Sequence, residues 1–222
     1  PRQNSQGVPH FSTSEQGGRG SGKEGSSTRQ QPRGSSLPSV LVDLGGLTKQ
    51  LRDQKQQGIR ASYQQLTELE QLCDHAMHVL QAEGSAMSSW ALASVAISAR
   101  AATQMLPRSS SPVQLCSALI TAALAAPAMR TAQLGSWQEL LSGLAGAGLQ
   151  QNTHVLCQLA LDSLPLTTWF AGDVQPKHVS LLAHAFATVD YMGGTGALWE
   201  GVMTALEKGK MQAAKPQEWS NL

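Results

Sequence analysis

Three residues in "EQLCDHAMHVL", Cys73, His75 and His78, have side chains that could hold a zinc ion. Histidines three apart can share a helix face, so Cys-x-His-x-x-His brings three donors within reach of one another. A closed structural zinc site needs a fourth ligand, and no second ligand cluster accompanies this one. "GGTG" at Gly193–Gly196 lacks the spacing and the Lys of a phosphate loop and reads as a tight turn between helices. His184 and Asp190 have no Ser or Cys partner in a recognisable nucleophile elbow. With no constellation for metal, nucleophilic or acid–base chemistry, the sequence predicts a protein that is not an enzyme, with no cofactor, no metal and no small-molecule substrate.

The remaining chemistry is that of cations on phosphates. Net charge is +1, but its distribution is uneven. Residues 1–36 hold Arg2, Arg19, Lys23, Arg29 and Arg33 against Glu15 and Glu24, whereas the rest has eleven basic and thirteen acidic residues. The chain is therefore no polycation, and its basic part is the tail. That tail, about residues 1–37, is rich in Ser, Gly and Gln and poor in core-forming residues, so alone it is expected to be disordered. Its composition fits the flank of a processed transit peptide and equally an ordinary flexible N-terminus. Arg19, Lys23, Arg29 and Arg33 are its candidate phosphate contacts. In the body the candidates are Lys49 and Arg52, three apart and so able to share a helix face, with Arg100, Lys177 and His178. Lys177 and His178 stand where a helix begins, and free backbone N–H groups there also favour a phosphate. These five are expected to line one surface.

What must position them is a set of helices. Ala, Leu, Gln and Ser dominate after residue 37, a mixture that favours helix over sheet. No apolar run reaches the roughly 20 residues that span a bilayer, so no membrane partner is expected. Cys73, Cys116 and Cys157 are spaced by 43 and 41, and each follows a Leu: Leu72, Leu115, Leu156. "ALWEGVMTAL" supplies a fourth copy with Leu198 and Trp199. Apolar residues recur four and seven positions on in all four copies, which marks one buried helix face repeating about every 42 residues. The cysteines are then core packers. A partner helix precedes each later copy: Trp137 aligns with Val179, Leu140 with Leu182, Leu144 with Phe186 and Ala145 with Ala187. "SSWALASVAISA" is its earlier counterpart, set further back by a lengthened loop in "LPRSSSPV".

The expected fold is all-α: an α-solenoid of right-handed stacked helical hairpins with a period of about 40–43 residues. Residues 38–84 form an N-terminal capping pair, with Val40, Leu44, Leu47 and Leu51 on one side of its first helix, Gly58 as terminator and Ser62 as the next N-cap. Residues 85–222 form the repeats. "KPQEW" opens the first helix of another copy, which makes the array read as the start of a longer one. Leu72, Leu115, Leu156 and Leu198 are expected at equivalent buried positions.

These residues resemble the octotricopeptide repeats, helical-repeat proteins of green-algal organelles with a motif of the PPPEW type. "KPQEW" (Pro216, Glu218, Trp219) is the nearest match and "QPKHV" a weaker one. "WALASVAISA", "LLSGLAGAG" and "LLAHAFATV" are similar to the family's Leu/Ala helix. The resemblance covers residues 38–222 and implies RNA binding in an organelle, with the mitochondrion favoured over the chloroplast. On this reading the chain is a ribosome component that binds and stabilises ribosomal RNA, with neighbouring ribosomal proteins as further partners. The alternatives are an organelle mRNA maturation or translation factor, and a protein-binding scaffold with no RNA role.

Overall fold

The computed structural model describes residues 37–164, 176–209 and 212–220. The chain divides into Pro1–Ser35 and Ser36–Leu222, and every described element belongs to the second unit. Among the described residues all regular structure is helical. The order is α1 (Ser39–Gln56), α2 (Tyr63–Glu83) running into a 3₁₀ turn (Gly84–Ala86), α3 (Ser89–Met105), α4 (Ser111–Ala125) and a single turn α5 (Pro127–Arg130). Then come α6 (Leu134–Gly146), α7 (Gln150–Ser163), α8 (Pro176–Thr188), α9 (Thr195–Glu207) and α10 (Pro216–Ser220). No helix is long and apolar enough to cross a membrane.

The ends of these helices follow local chemistry. Ser62 and Gln65 form a reciprocal capping box: Gln65 N–H donates to Ser62 Oγ at 3.2 Å and Ser62 N–H to Gln65 Oε1 at 2.9 Å. At the other end of α1, Gly58 takes a φ of 75°. Ile59 N–H reaches back to the Gln54 carbonyl and Gly58 N–H to that of Lys55, the paired bonds of a Schellman stop. The same pattern ends α8, where Tyr191 N–H donates to Phe186 and Asp190 N–H to Ala187. There the left-handed residue is Asp190, at φ 54°. Pro112, Pro127, Pro176 and Pro216 sit in first turns, where a missing N–H removes no helical bond.

Helices pack on their sequence neighbours and on the helix two places along. α1 lies on α3, α3 on α6, and α6 on α8, which also touches α10; α2 lies on α4, and α4 on α7. We call these the first and second rows. Gly194, the N-cap of α9, approaches Leu161 of α7, which puts α9 beside the second row. Helices α3, α6 and α8 run in the same direction, and so do α2 and α4. A Cβ at Gly143 of α6 would lie 2.7 Å from the Ala96 backbone of α3, and one at Gly146, further along α6, 2.7 Å from Arg100 Cδ. One at Gly84 would lie 2.5 Å from Ala122 Cβ of α4.

The core runs between the rows. In the first, Trp137, Leu140, Leu141 and Leu144 of α6 are buried, and so are Val179, Leu182, Ala183 and Phe186, 42 residues on. The one mismatch in that alignment is Ala187, exposed where Ala145 is buried. In α1 the buried stripe is Leu41, Leu44, Thr48 and Leu51, with Val40 and Leu47 half-buried. Thr48 is tolerated inside because its hydroxyl donates to the Leu44 carbonyl at 2.8 Å.

The second row corrects the expected register by one residue. Cys73, Cys116 and Cys157 are all buried, but Trp199 is 45% exposed. Leu72 is only half-buried, unlike Leu115, Leu156 and Leu198. The burial pattern of Cys157, Ala160 and Leu161 recurs at Leu198, Gly201 and Val202. Leu198 thus answers to the cysteines, and Trp199 to the exposed Gln158. One residue is 100° of helix rotation, enough to turn Trp199 from core to surface.

Candidate nucleic-acid interface

Five Lys and Arg side chains lie within the helices of the two rows, all in the first: Lys49, Arg52 and Lys55 of α1, Arg100 of α3 and Lys177 of α8. The second-row helices α2, α4, α7 and α9 contain no Lys or Arg. They carry Glu68, Glu70, Asp74, Glu83, Asp162, Glu200 and Glu207. Asp43, Asp53 and Glu139 accompany the first-row cations.

The expected Lys and Arg residues of the body are on the surface, but not in one cluster. Lys49, Arg52, Arg100 and Lys177 are exposed and His178 is half-buried. Lys49 and Arg52 occupy the later half of α1, and Lys55 extends the same spacing of three. Arg100 lies toward the end of α3, its aliphatic stem crossing Gly146 at the end of α6; the missing Cβ there leaves room for it. His178 instead lies beside Gly135, where a Cβ would be 4.0 Å from its imidazole. Gly135 and Gly146 are separated by roughly 16 Å along α6 at 1.5 Å per residue. Lys177 and His178 therefore sit at the opposite end of the first row from Arg100. Arg19, Lys23, Arg29 and Arg33 lie outside the described residues.

Two groups beside these cations escaped the sequence argument. Lys55 was legible from its spacing to Arg52. Trp90 was not: it begins a helix that aligns with the Trp137 helix, yet it is 52% exposed while Trp137 is fully buried. Trp90, Ser94 and Ile97 continue along one partly exposed face of α3, one turn before Arg100. Trp90 opens α3 and lies roughly 15 Å from Arg100 along the helix at 1.5 Å per residue; its exposed indole is suited to stacking a base.

The cysteine–histidine cluster takes a different form. Cys73 faces the core while His75 and His78 are exposed, so the three do not converge. Burial pushes the Cys73 thiol up to about 12, with Asp74, Cys116 and Glu70 adding to the shift. Burial alone pushes Cys116 and Cys157 up to about 12 as well. At neutral pH all three rest as protonated, weakly nucleophilic thiols. Among the described residues no group of three His, Cys, Asp or Glu side chains is placed to share an ion. "GGTG" falls at the turn into α9, with Gly194 at φ 63°.

A polar tie holds α7 to the end of α8. His154 Nε2 of α7 hydrogen-bonds the Val189 carbonyl at 2.5 Å. Tyr191 OH donates to Gln158 Oε1, and Gln158 Nε2 donates to Asp162 at 2.8 Å. The Tyr191 ring stands edge-on to both His154 and Phe186, with centroids 5.6 and 5.4 Å away. Burial raises the Tyr191 hydroxyl, with Cys157 and Asp162 as smaller causes, so it stays a donor at neutral pH. In the first row Ser142 Oγ donates to the Leu181 carbonyl at 3.3 Å.

Comparison with known proteins finds no matching family model, no similar curated protein and no similar solved structure.

Proposed function

We propose that this chain is a non-catalytic α-solenoid that holds RNA along its first row of helices. The observation that carries the proposal is the partition of charge: every Lys and Arg within the row-forming helices lies on the first row. RNA is drawn to surfaces where Lys and Arg replace its counterions. Lys49, Arg52, Lys55 and Arg100 supply such contacts, and the exposed Trp90 offers a stacking platform. The repeat of buried stripes at 41 and 42 residues supports a solenoid, because each hairpin can cover its apolar face only by stacking on the next. In this reading the setting is an organelle ribonucleoprotein, with ribosomal RNA the favoured ligand and the mitochondrion the favoured compartment. The basic residues of the tail add further phosphate contacts.

Substituting Lys49, Arg52 and Arg100 together by Ala tests it, with the affinity of the full chain for a mixed-sequence single-stranded RNA followed against salt. Removing three phosphate contacts should weaken binding and flatten the log–log salt slope by about 2, at roughly 0.7 per contact on a single strand. Parental affinity and slope in the triple variant would show that the first row does not hold RNA.

A further inference from the structure

We infer that the turn between α1 and α2 stacks an unpaired base of single-stranded RNA on Tyr63. This rests on the RNA reading above and extends it past the end of α1. Tyr63 is 86% exposed, the most open large hydrophobic side chain among the described residues, and Ile59 in the same turn is 52% exposed. Gln54 gathers the site. Its carbonyl accepts from Ile59 N–H at 2.9 Å, which folds the chain back, and its Oε1 accepts from Gln65 Nε2 at 3.4 Å, which ties α2 to the end of α1. Lys55 follows Gln54, Arg60 follows Ile59 and Gln64 precedes Gln65, so an exposed ammonium, guanidinium and amide border that junction. Arg60 stands within about 11 Å of Tyr63, Cα to Cα, because three residues span no more.

The charges select the occupant. Residues 54–67 contain these two cations and no acid. The flanking carboxylates are Asp53, half-buried on α1, and Glu68, a turn beyond Gln65. Among the described residues no carboxylate pairs with Lys55 or Arg60. Ser62 already caps α2 through Gln65 N–H, so the attraction for an anion lies in the side chains and not in the helix start. An apolar partner would bury both cations unpaired, which is costly. An acidic peptide would neutralise them and leave the Tyr63 ring without a flat surface to meet. Single-stranded RNA brings both features in one repeating unit, a phosphate for Lys55 or Arg60 and a base face for Tyr63. Duplex RNA does not, because its base faces are stacked on one another. Gln56, Gln57 and Gln64 are exposed and offer amides to the base edges.

The test measures the full chain against a fluorescein-labelled single-stranded RNA of about 10 mixed nucleotides, and against a duplex of the same length. Tyr63→Ala should weaken the single strand about fivefold or more and leave the duplex as it was, while Tyr63→Phe should bind both like the parent. Arg60→Ala should flatten the log–log salt slope for the single strand by about 0.7, and Arg60→Lys should restore it. Helical circular dichroism should stay unchanged throughout, because both side chains are exposed. The inference is overturned if Tyr63→Ala binds the single strand like the parent, if it weakens the duplex equally, or if Arg60→Ala keeps the parental slope. It is also overturned if a peptide alternating Glu with Leu binds the parent and loses that binding on Tyr63→Ala, since the occupant would then be a protein. The triple variant at Lys49, Arg52 and Arg100 separates this inference from the reading it rests on. If that variant loses RNA and Tyr63→Ala does not, the first row holds RNA and the turn does not. If Tyr63→Ala loses RNA and the triple variant does not, the turn stands and the first-row reading falls. A parent that binds neither RNA overturns both.

Discussion

Helices α1 and α3 on one row and α2 and α4 on the other bury comparable stripes of Leu and Ala, yet four of the five row cations fall on the first pair and none on the second. Burial thus constrains the inward faces of both rows alike and leaves the outward faces free to diverge. One carries Lys, Arg and an exposed Trp90; the other carries carboxylates and amides. A near-zero net charge conceals this, since the excess of carboxylates on the second row is offset by basic residues outside the row helices.

The tryptophans give the strongest way to break the comparison. Trp137 is fully buried on the first row and Trp199 stands half-exposed on the second. Trp137→Ala should destabilise by about 3–5 kcal/mol, the usual range for emptying a buried aromatic site. Trp199→Ala should stay within about 0.5 kcal/mol. Denaturant unfolding of both measures this, and a large loss for Trp199→Ala would restore the register in which Trp199 answers to the cysteines. The indole N–H of Trp137 has no hydrogen-bond partner, so Trp137→Phe should cost far less than Trp137→Ala.

A smaller contrast concerns glycines within the first row. An added Cβ at Gly143 would meet the Ala96 backbone at 2.7 Å, whereas one at Gly46 would meet nothing within 4 Å. Gly143→Ala should therefore destabilise by about 1–3 kcal/mol through overpacking. Gly46→Ala should stabilise by about 0.5–1 kcal/mol through helix propensity. Thermal melts of the two variants should move in opposite directions; movement together would mean that α3 and α6 are not in backbone contact.

Smallest is the effect at the end of α8. Asp190 occupies the left-handed C′ position that Gly58 fills after α1. Asp190→Gly should stabilise by up to about 1 kcal/mol, because Gly takes that conformation without the Cβ penalty. A loss of stability on that substitution would assign Asp190 a side-chain role that outweighs its backbone strain.

Much of the local structure was legible in the residues. Ser62 marks an N-cap, "KPQEW" marks a helix start, and Gly58 and "GGTG" mark turns. Burial of the three cysteines followed from their spacing. The register of α9 did not, because Leu198 and Trp199 are both apolar and a Leu–Cys pair fits either of two frames one residue apart. Sequence spacing also gave no sign that Lys177 and Arg100 would separate. Both stand on first-row helices, and only the common direction of α3, α6 and α8 puts one at a helix start and the other near a helix end. The charge partition was present in the sequence but invisible until each helix had been assigned to a row.

The most direct measurement of the central claim places one photo-crosslinking residue on each surface of the full chain. Gln50 on α1 and Gln114 on α4 are both exposed and equally polar, so substitution disturbs neither core. Irradiation with a labelled mixed-sequence RNA should crosslink the chain through position 50 and not through position 114. Crosslinking through position 114 with none through position 50 would place RNA on the acidic row and contradict the account.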